Sequence, residues 1–290
     1  MLKQLFKLVA LIAVALAPIV AIPQVYDPLR LGLYDDVYTL VSSYECANPD
    51  CTRNRLPAGT ITFESGWTAT TTSDGARQVP DNDADCRLHV ALIGDSFTWG
   101  PNVSDDETWA NRLAQQFPAA CFYNYGQWGY NAEQVALTLA EQVPDEMDAV
   151  VYFILQNDDM GQYTPHDVGD PPPRLNVIRY IELVSWRLGY GGGREGWARD
   201  KERYPDRFAA AIDDIAADPR VHFAGFDDEL LVYTVRDMGY EVFGIPLLPD
   251  GERISPIDDH PNAAGHQTIA RSLAPLIERL LVQDAAYGPS

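Results

Sequence analysis

From residue 87 onward, apolar and polar positions follow two rhythms. "LHVALIG" (88–94), "CFYNYG" (121–126), "AVVYFILQ" (149–156) and "VHFAGF" (221–226) are short, mostly apolar runs, the pattern of strands covered on both faces. Between them lie stretches with helical spacing. "SDDETWANRLAQQF" (104–117) puts Trp109, Leu113 and Phe117 on one face, with Ser104 and Glu107 at capping-box spacing. "NAEQVALTLAEQV" (131–143), "RYPDRFAAAIDDIAAD" (203–218), "DELLVYTVRDMG" (228–239) and "NAAGHQTIARSLAPLIERLLV" (262–282) also read as helices. Strands and helices alternating across short turns predict right-handed βαβ units. The expected fold is a three-layer α/β/α domain over 87–290 with a central, mostly parallel sheet.

Two stretches depart from this rhythm. Residues 158–200 hold the loops "GDPPPR" and "GYGGGREG" around a helix predicted over 175–189. No Gly-Lys-Ser/Thr follows the glycines, so this is not a phosphate loop. Tyr163, Trp186, Tyr190 and Trp197 in this region read as packing residues or as platforms for sugar rings. Residues 24–86 carry turn clusters and one possible strand, "TITF" (60–63), and read as an N-terminal extension packed on the main domain. "DNDAD" (81–85) lacks the glycine and glutamate of a calcium loop and reads as a solvated acidic loop.

The first 23 residues have a different character. "MLKQLFK" is basic and "LVALIAVALAPIVAI" (8–22) is uncharged, the two regions of an export signal. The competing outcome is an uncleaved anchor that associates the protein with a membrane, its domain outside the cytoplasm. Export implies a periplasmic, extracellular or anchored location, and the four cysteines agree with it. Cys46 and Cys51 bracket a turn, and Cys86 and Cys121 sit at the starts of two predicted strands; three pairings are open. A zinc site would lack both a CxxC and paired histidines. The net charge of −21 excludes a nucleic-acid partner, which needs a basic footprint.

The candidate chemistry starts at "GDSFTWG" (94–100), where Ser96 follows directly on a strand. Open α/β sheets place ligands at that edge. A serine hydroxyl needs a base to become a nucleophile. Of the five histidines, His266 shares the apolar stripe of the last helix and reads as a core residue. His260 differs: it precedes Pro261 at an expected helix start, with Asp258 and Asp259 beside it. A neighbouring acid orients an imidazole and stabilises its charged form.

Four segments in order resemble the SGNH (GDSL-type) hydrolase superfamily over residues 87–283: "GDSFTWG", "NYGQWGYNAEQ" (124–134), "LQNDD" (155–159) and "DDHPN" (258–262). The resemblance implies Ser96 as nucleophile and His260 as base. It implies an oxyanion hole made by the N–H of Ser96, a glycine N–H and the Asn157 side chain. Gly129 is the better match for the glycine and Gly126 the alternate. Two positions depart from the family pattern. No glycine stands two before Asn157, and position 257 is Ile where an acid is usual, which makes Asp258 the candidate triad acid and Asp259 the fallback. "TSDGAR" (72–77) loosely resembles a segment of exported members with N-terminal extensions. The expected activity is that of an exported serine esterase acting on acyl groups, O-acetyl or other short chains, of a carbohydrate or lipid. The implied partner is a small-molecule or glycan ester, and no cofactor or metal is implied. An O-acyltransferase using the same residues and a non-catalytic glycan-binding module are the alternatives.

Overall fold

The computed structural model describes residues 36, 39–40, 42–47, 51–83, 85–161, 203–255 and 258–287. The segment 1–23, the helix predicted over 175–189 and its aromatics lie outside the described residues. In the extension, β1 (Glu45–Cys46) pairs with β2 (Asn54–Arg55), and β3 (Gly59–Thr62) with β4 (Thr68–Thr71), both antiparallel. The main domain then runs β5 (Leu88–Gly94), α1 (Ser96–Trp99), α2 (Trp109–Gln116), β6 (Ala120–Asn124), α3 (Ala132–Glu141) and β7 (Ala149–Ile154). From residue 203 onward come α4 (Pro205–Ala216), β8 (Val221–Phe226), α5 (Leu230–Asp237), β9 (Val242–Ile245), β10 (Arg253–Ser255), β11 (Asp258–Pro261) and α6 (Ala263–Tyr287).

The central sheet has the order β6-β5-β7-β8-β9 and is parallel throughout. Its strands are apolar on both sides because both sides are covered. Val90, Leu92, Val151 and Phe153 face a core closed by Trp109 and Leu113 of α2 and by Ile269, Leu273 and Ile277 of α6. Ala91, Ile93, Val150, Tyr152 and Ile154 face a second core with residues of α3, α4 and α5. This is the three-layer α/β/α arrangement that the alternation predicted. Each core residue sits at the period-2 position that its strand assigns to that face. A third cluster joins the extension to the domain: Leu40, Tyr44, Leu56, Phe63, Trp67 and Ala69 pack with Trp99.

Three expectations need correction. The run 104–117 is not one helix. A 3-10 turn (Asp105–Glu107) precedes α2, and Thr108 between them is extended, with ψ of 151°. The Ser104–Glu107 capping box is present but closes only that turn. The Asp105 carboxylate is drawn inward to the Arg77 guanidinium (2.8 Å) and the Thr70 N–H, while the Thr108 side chain starts α2 afresh. Pro261 is not the first residue of the last helix. It ends β11, and the Asn262 side chain receives the Ala264 and Gly265 N–H groups instead. The fifth strand, β9, was not anticipated; it is four residues long and contains a glycine.

His266 is a core residue, as its helical stripe indicated: it is fully buried and its Nδ1 receives the Trp109 N–H at the start of α2 (3.2 Å). The cysteines form two disulfides, Cys46–Cys51 and Cys86–Cys121, with Cα–Cα distances of 4.8 and 5.7 Å. Parallel pairing of β5 with β6 brings the second pair together. Among the described residues, Cys86, His89 and Cys121 are the one group of clustered metal-ligating atoms, and the disulfide occupies both sulfurs. Two disulfides suit an oxidising compartment. Among the described residues no helix is long and apolar enough to cross a membrane.

Candidate active site

The turn after β5 places Ser96, which is buried, at the sheet's carboxyl edge. Gly94 has φ of +151°, and a Cβ there would lie 2.4 Å from Thr98 Oγ1, so only glycine fits. Asp95 then caps α1, its Oδ1 receiving the Phe97 N–H at 2.8 Å. One helical turn later, Gly100 in the left-handed region returns its N–H to the Ser96 carbonyl (2.8 Å). Ser96 is the first residue of this turn, where a backbone N–H has no intrahelical acceptor.

A two-stranded hairpin, β10–β11, brings His260 to the same point. Ser96 Oγ lies 2.7 Å from His260 Nε2, and His260 Nδ1 lies 2.6 Å from Asp258 Oδ1. Asp258 Oδ1 also receives the His260 N–H (3.1 Å), so one carboxylate fixes both the ring and the backbone of the histidine. Asp259 turns away. Its carboxylate pairs with Arg253 at 2.8 Å and is 63% exposed. Two rings enclose the imidazole: Trp128 stacks on it at 4.8 Å and 24°, and Phe97 leans on it at 5.0 Å. Neither ring was singled out in the sequence. The signal available was an aromatic next to a motif glycine, in "GQWG", and another next to the motif serine.

The site's electrostatics follow from burial and pairing. Burial, the largest influence on His260, pushes its pKa down. The charge and hydrogen bond of Asp258, helped by Asp95 and Asp259, outweigh it, so the net direction is up. Burial pushes the Asp258 carboxyl up, but His260 pulls it below its ordinary value. Asp95 is fully buried and displaced upward, chiefly by burial, although Asn157, Phe97 and His260 counter this. Asp158 is pushed well above the carboxylate range by burial and then by the Asp95 charge. Its Oδ2 nevertheless receives the Tyr152 hydroxyl (2.7 Å) and the Leu155 N–H (2.9 Å). Neither aspartate was given a role from sequence, because burial of a carboxyl is a tertiary property.

Asn157 stands on the turn after β7, and its side-chain N–H donates to Asp95 Oδ2 at 3.0 Å. A carboxylate only accepts, so this bond sets the amide with nitrogen, not oxygen, toward Asp95. An amide nitrogen has two hydrogens, which leaves one to donate elsewhere. Of the two candidate glycines, Gly126 gives its N–H to Asn124 Oδ1 (3.1 Å) and packs against Thr98 and Trp99. Gly129 N–H, like Ser96 N–H, has no acceptor among the described residues.

A Ser–His–Asp chain at the carboxyl edge of a parallel α/β sheet defines a hydrolase-type site. The chain belongs to the GDSL-like lipase/acylhydrolase family, whose sequence model matches residues 92–268, and it is an ester-bond hydrolase. Similar solved structures include a member of the lipolytic G-D-S-L family from Veillonella parvula DSM 2008. It is 16% identical, with 67% of this chain and 100% of that one covered and a TM-score of 0.39. The lipase/acylhydrolase from Enterococcus faecalis is 15% identical, with 66% and 95% covered and a TM-score of 0.40. The psychrotrophic esterase EstA from Pseudoalteromonas sp. is 12% identical, with 67% and 99% covered and a TM-score of 0.40. No curated protein matches the chain.

Proposed function

We propose that this protein is an exported serine esterase that releases O-acetyl or other short acyl groups from a carbohydrate or lipid ester. Ser96 is the nucleophile, His260 the general base and Asp258 the orienting acid. One observation carries this reading: the unbroken chain from Ser96 Oγ to His260 Nε2 (2.7 Å) and from His260 Nδ1 to Asp258 (2.6 Å). The raised pKa of His260 supports it, since a stronger base takes a hydroxyl proton more readily.

Ser96 Oγ attacks the ester carbonyl while its proton passes to His260 Nε2. The carbonyl oxygen becomes an oxyanion held by the N–H groups of Ser96 and Gly129 and by the free amide hydrogen of Asn157. Each such donor is worth about 10²–10³ in rate. The imidazolium, facing Asp258 on its other nitrogen, then protonates the leaving alcohol and an acyl-Ser96 ester remains. Water, deprotonated by His260, attacks that ester, and the proton returns to Ser96. None of these steps draws on a metal or cofactor.

The organisation we propose around this site is a segment 1–23 for export or anchoring, an extension 24–86 and a hydrolase domain 87–290. The two disulfides support the exported location. The test is an intact-mass measurement after treatment with a fluorophosphonate. One adduct is expected, absent from Ser96→Ala and His260→Ala. A folded protein that takes no adduct refutes the activated serine. Incubation with an acetyl ester and a free sugar reads the acceptor: released acetate supports an esterase, and acetyl sugar without matching acetate shows a transferase.

A further inference from the structure

The matched family region begins at residue 92, yet the turn bearing Gly129 is bound largely by residues that precede it. Within 124–130, the Asn124 carbonyl receives the Arg77 N–H (2.7 Å) and the Tyr125 hydroxyl donates to Asp74 (2.9 Å). The Gln127 amide donates to the Gly75 carbonyl (3.3 Å), and the Trp128 N–H donates to the Tyr44 hydroxyl (3.0 Å). The Tyr130 hydroxyl donates to the Asn54 carbonyl. Five of these seven residues are therefore tied to the extension, and the two that are not are Gly126 and Gly129.

This pattern has a physical reading. A turn with two glycines has little conformational preference of its own. Gly129 sits at φ of +71°, and the direction of its N–H depends on the peptide planes either side of Trp128. The Tyr44 bond holds the plane immediately before Trp128. The Trp128 ring, on the same residue, stacks on His260. Arg77 applies the same control to the nucleophile turn. Its buried guanidinium donates to the Trp99 carbonyl (2.9 Å) and the Gly100 carbonyl at the end of α1, and pairs with Asp105 (2.8 Å).

We propose that the extension supports the active site through Tyr44, Asn54, Asp74, Gly75 and Arg77, and that Tyr44 is a positioning residue that orients the Gly129 N–H toward the oxyanion. The proposal rests on the reading of Gly129 as an oxyanion donor. Tyr44→Phe in the full chain tests it, because the ring stays in its cluster with Leu56, Phe63 and Trp67 and only the hydroxyl is lost. With p-nitrophenyl acetate as the probe, kcat should fall about ten-fold while KM stays within about two-fold, as expected for weaker contacts made only in the transition state. Hydrogen exchange should accelerate in the peptide covering 125–131. Thr60→Val, on the β3–β4 hairpin where the Thr60 hydroxyl pairs with that of Thr70 (3.0 Å), should change neither quantity.

Wild-type exchange and wild-type kcat in Tyr44→Phe overturn the proposal. So does a loss of the same size in Thr60→Val, which would reveal a general effect of the extension on stability. A wild-type protein with neither turnover nor phosphonate adduct fails at the esterase reading itself, and that result is visible before any Tyr44 variant is made. Should Tyr44→Phe not fold, Tyr130→Phe, which removes the tether to Asn54, carries the same expectation.

Discussion

Replacing Asp258 or Asp259 by asparagine separates the two acids that neighbour His260, the base we propose. Asn at 258 keeps the size of the side chain but removes the charge 2.6 Å from His260 Nδ1. With charge centres roughly 4 Å apart, an imidazolium–carboxylate pair is worth about 4 kcal/mol at an effective dielectric constant of about 20. The charged imidazole exists only after Ser96 has given up its proton, so that loss falls on the transition state. At about 1.4 kcal/mol per decade it amounts to about 10³ in kcat/KM. Asp259 is 63% exposed and paired with Arg253, and a solvent-screened pair of that kind should change the rate by less than about three-fold. The pH profile adds a second readout. His260 must be neutral to act, and Asp258 helps hold its pKa above the ordinary value. The acid limb of kcat/KM should therefore lie above about pH 6.5 in the wild type. It should move to lower pH in Asp258→Asn, on a much reduced plateau. The assay is hydrolysis of p-nitrophenyl acetate from pH 5 to 9 at constant ionic strength. A larger loss in Asp259→Asn, or an acid limb in Asp258→Asn that does not move down, would refute the reasoning.

Three further outcomes are expected. His266 is pushed down to about 3, by burial first and then by Arg77, so it stays neutral in the fold while the unfolded chain takes up a proton below about pH 6.5. Its contribution is present above that pH and lost as pH falls: about 2 kcal/mol by pH 5 and about 3 by pH 4. Asp95 and Asp158, displaced upward, act in the opposite sense, so urea-melt differences between wild type and His266→Asn isolate the histidine; parallel curves would contradict this. Trp128→Leu removes the ring stacked on His260, and kcat should fall about ten-fold while the acid limb moves to lower pH, since an aromatic face favours the imidazolium by about 1 kcal/mol. An unchanged limb would show that the ring only packs. Replacing both Cys86 and Cys121 by serine opens a loop of sequence separation 35, and stability should fall by about 3–4 kcal/mol. Activity at 25 °C should survive, because this bridge lies at the end of β5 away from Ser96; a large loss of kcat in the folded variant would speak against that.

Much of the architecture was legible in the sequence because its causes are local. Apolar runs such as "AVVYFI" over β7 mark a strand covered on both faces, and the helical spacing of Ile269, Leu273 and Ile277 marks the face that covers it. Ser96, His260 and Asn157 stood out because a motif is a local signal. The short β9 and the break at Thr108 were not legible. One depends on pairing with β8, the other on where the Asp105 carboxylate is drawn.

Tertiary structure alone decided which acid faces His260. Asp258 and Asp259 are neighbours of the same type, and the alternation of side chains along β11 sends one to the imidazole and the other to Arg253. Likewise only the folded turn shows that the Gly126 N–H is already taken by Asn124, which favours Gly129 as the donor we propose. The involvement of the extension is the furthest from sequence. Tyr44 and Trp128 are 84 positions apart, and nothing local to either residue signals a bond between the hydroxyl of one and the backbone of the other. Sequence determines which groups a chain can offer. The fold determines their partners, because hydrogen bonds and burial depend on positions brought together from distant parts of the chain.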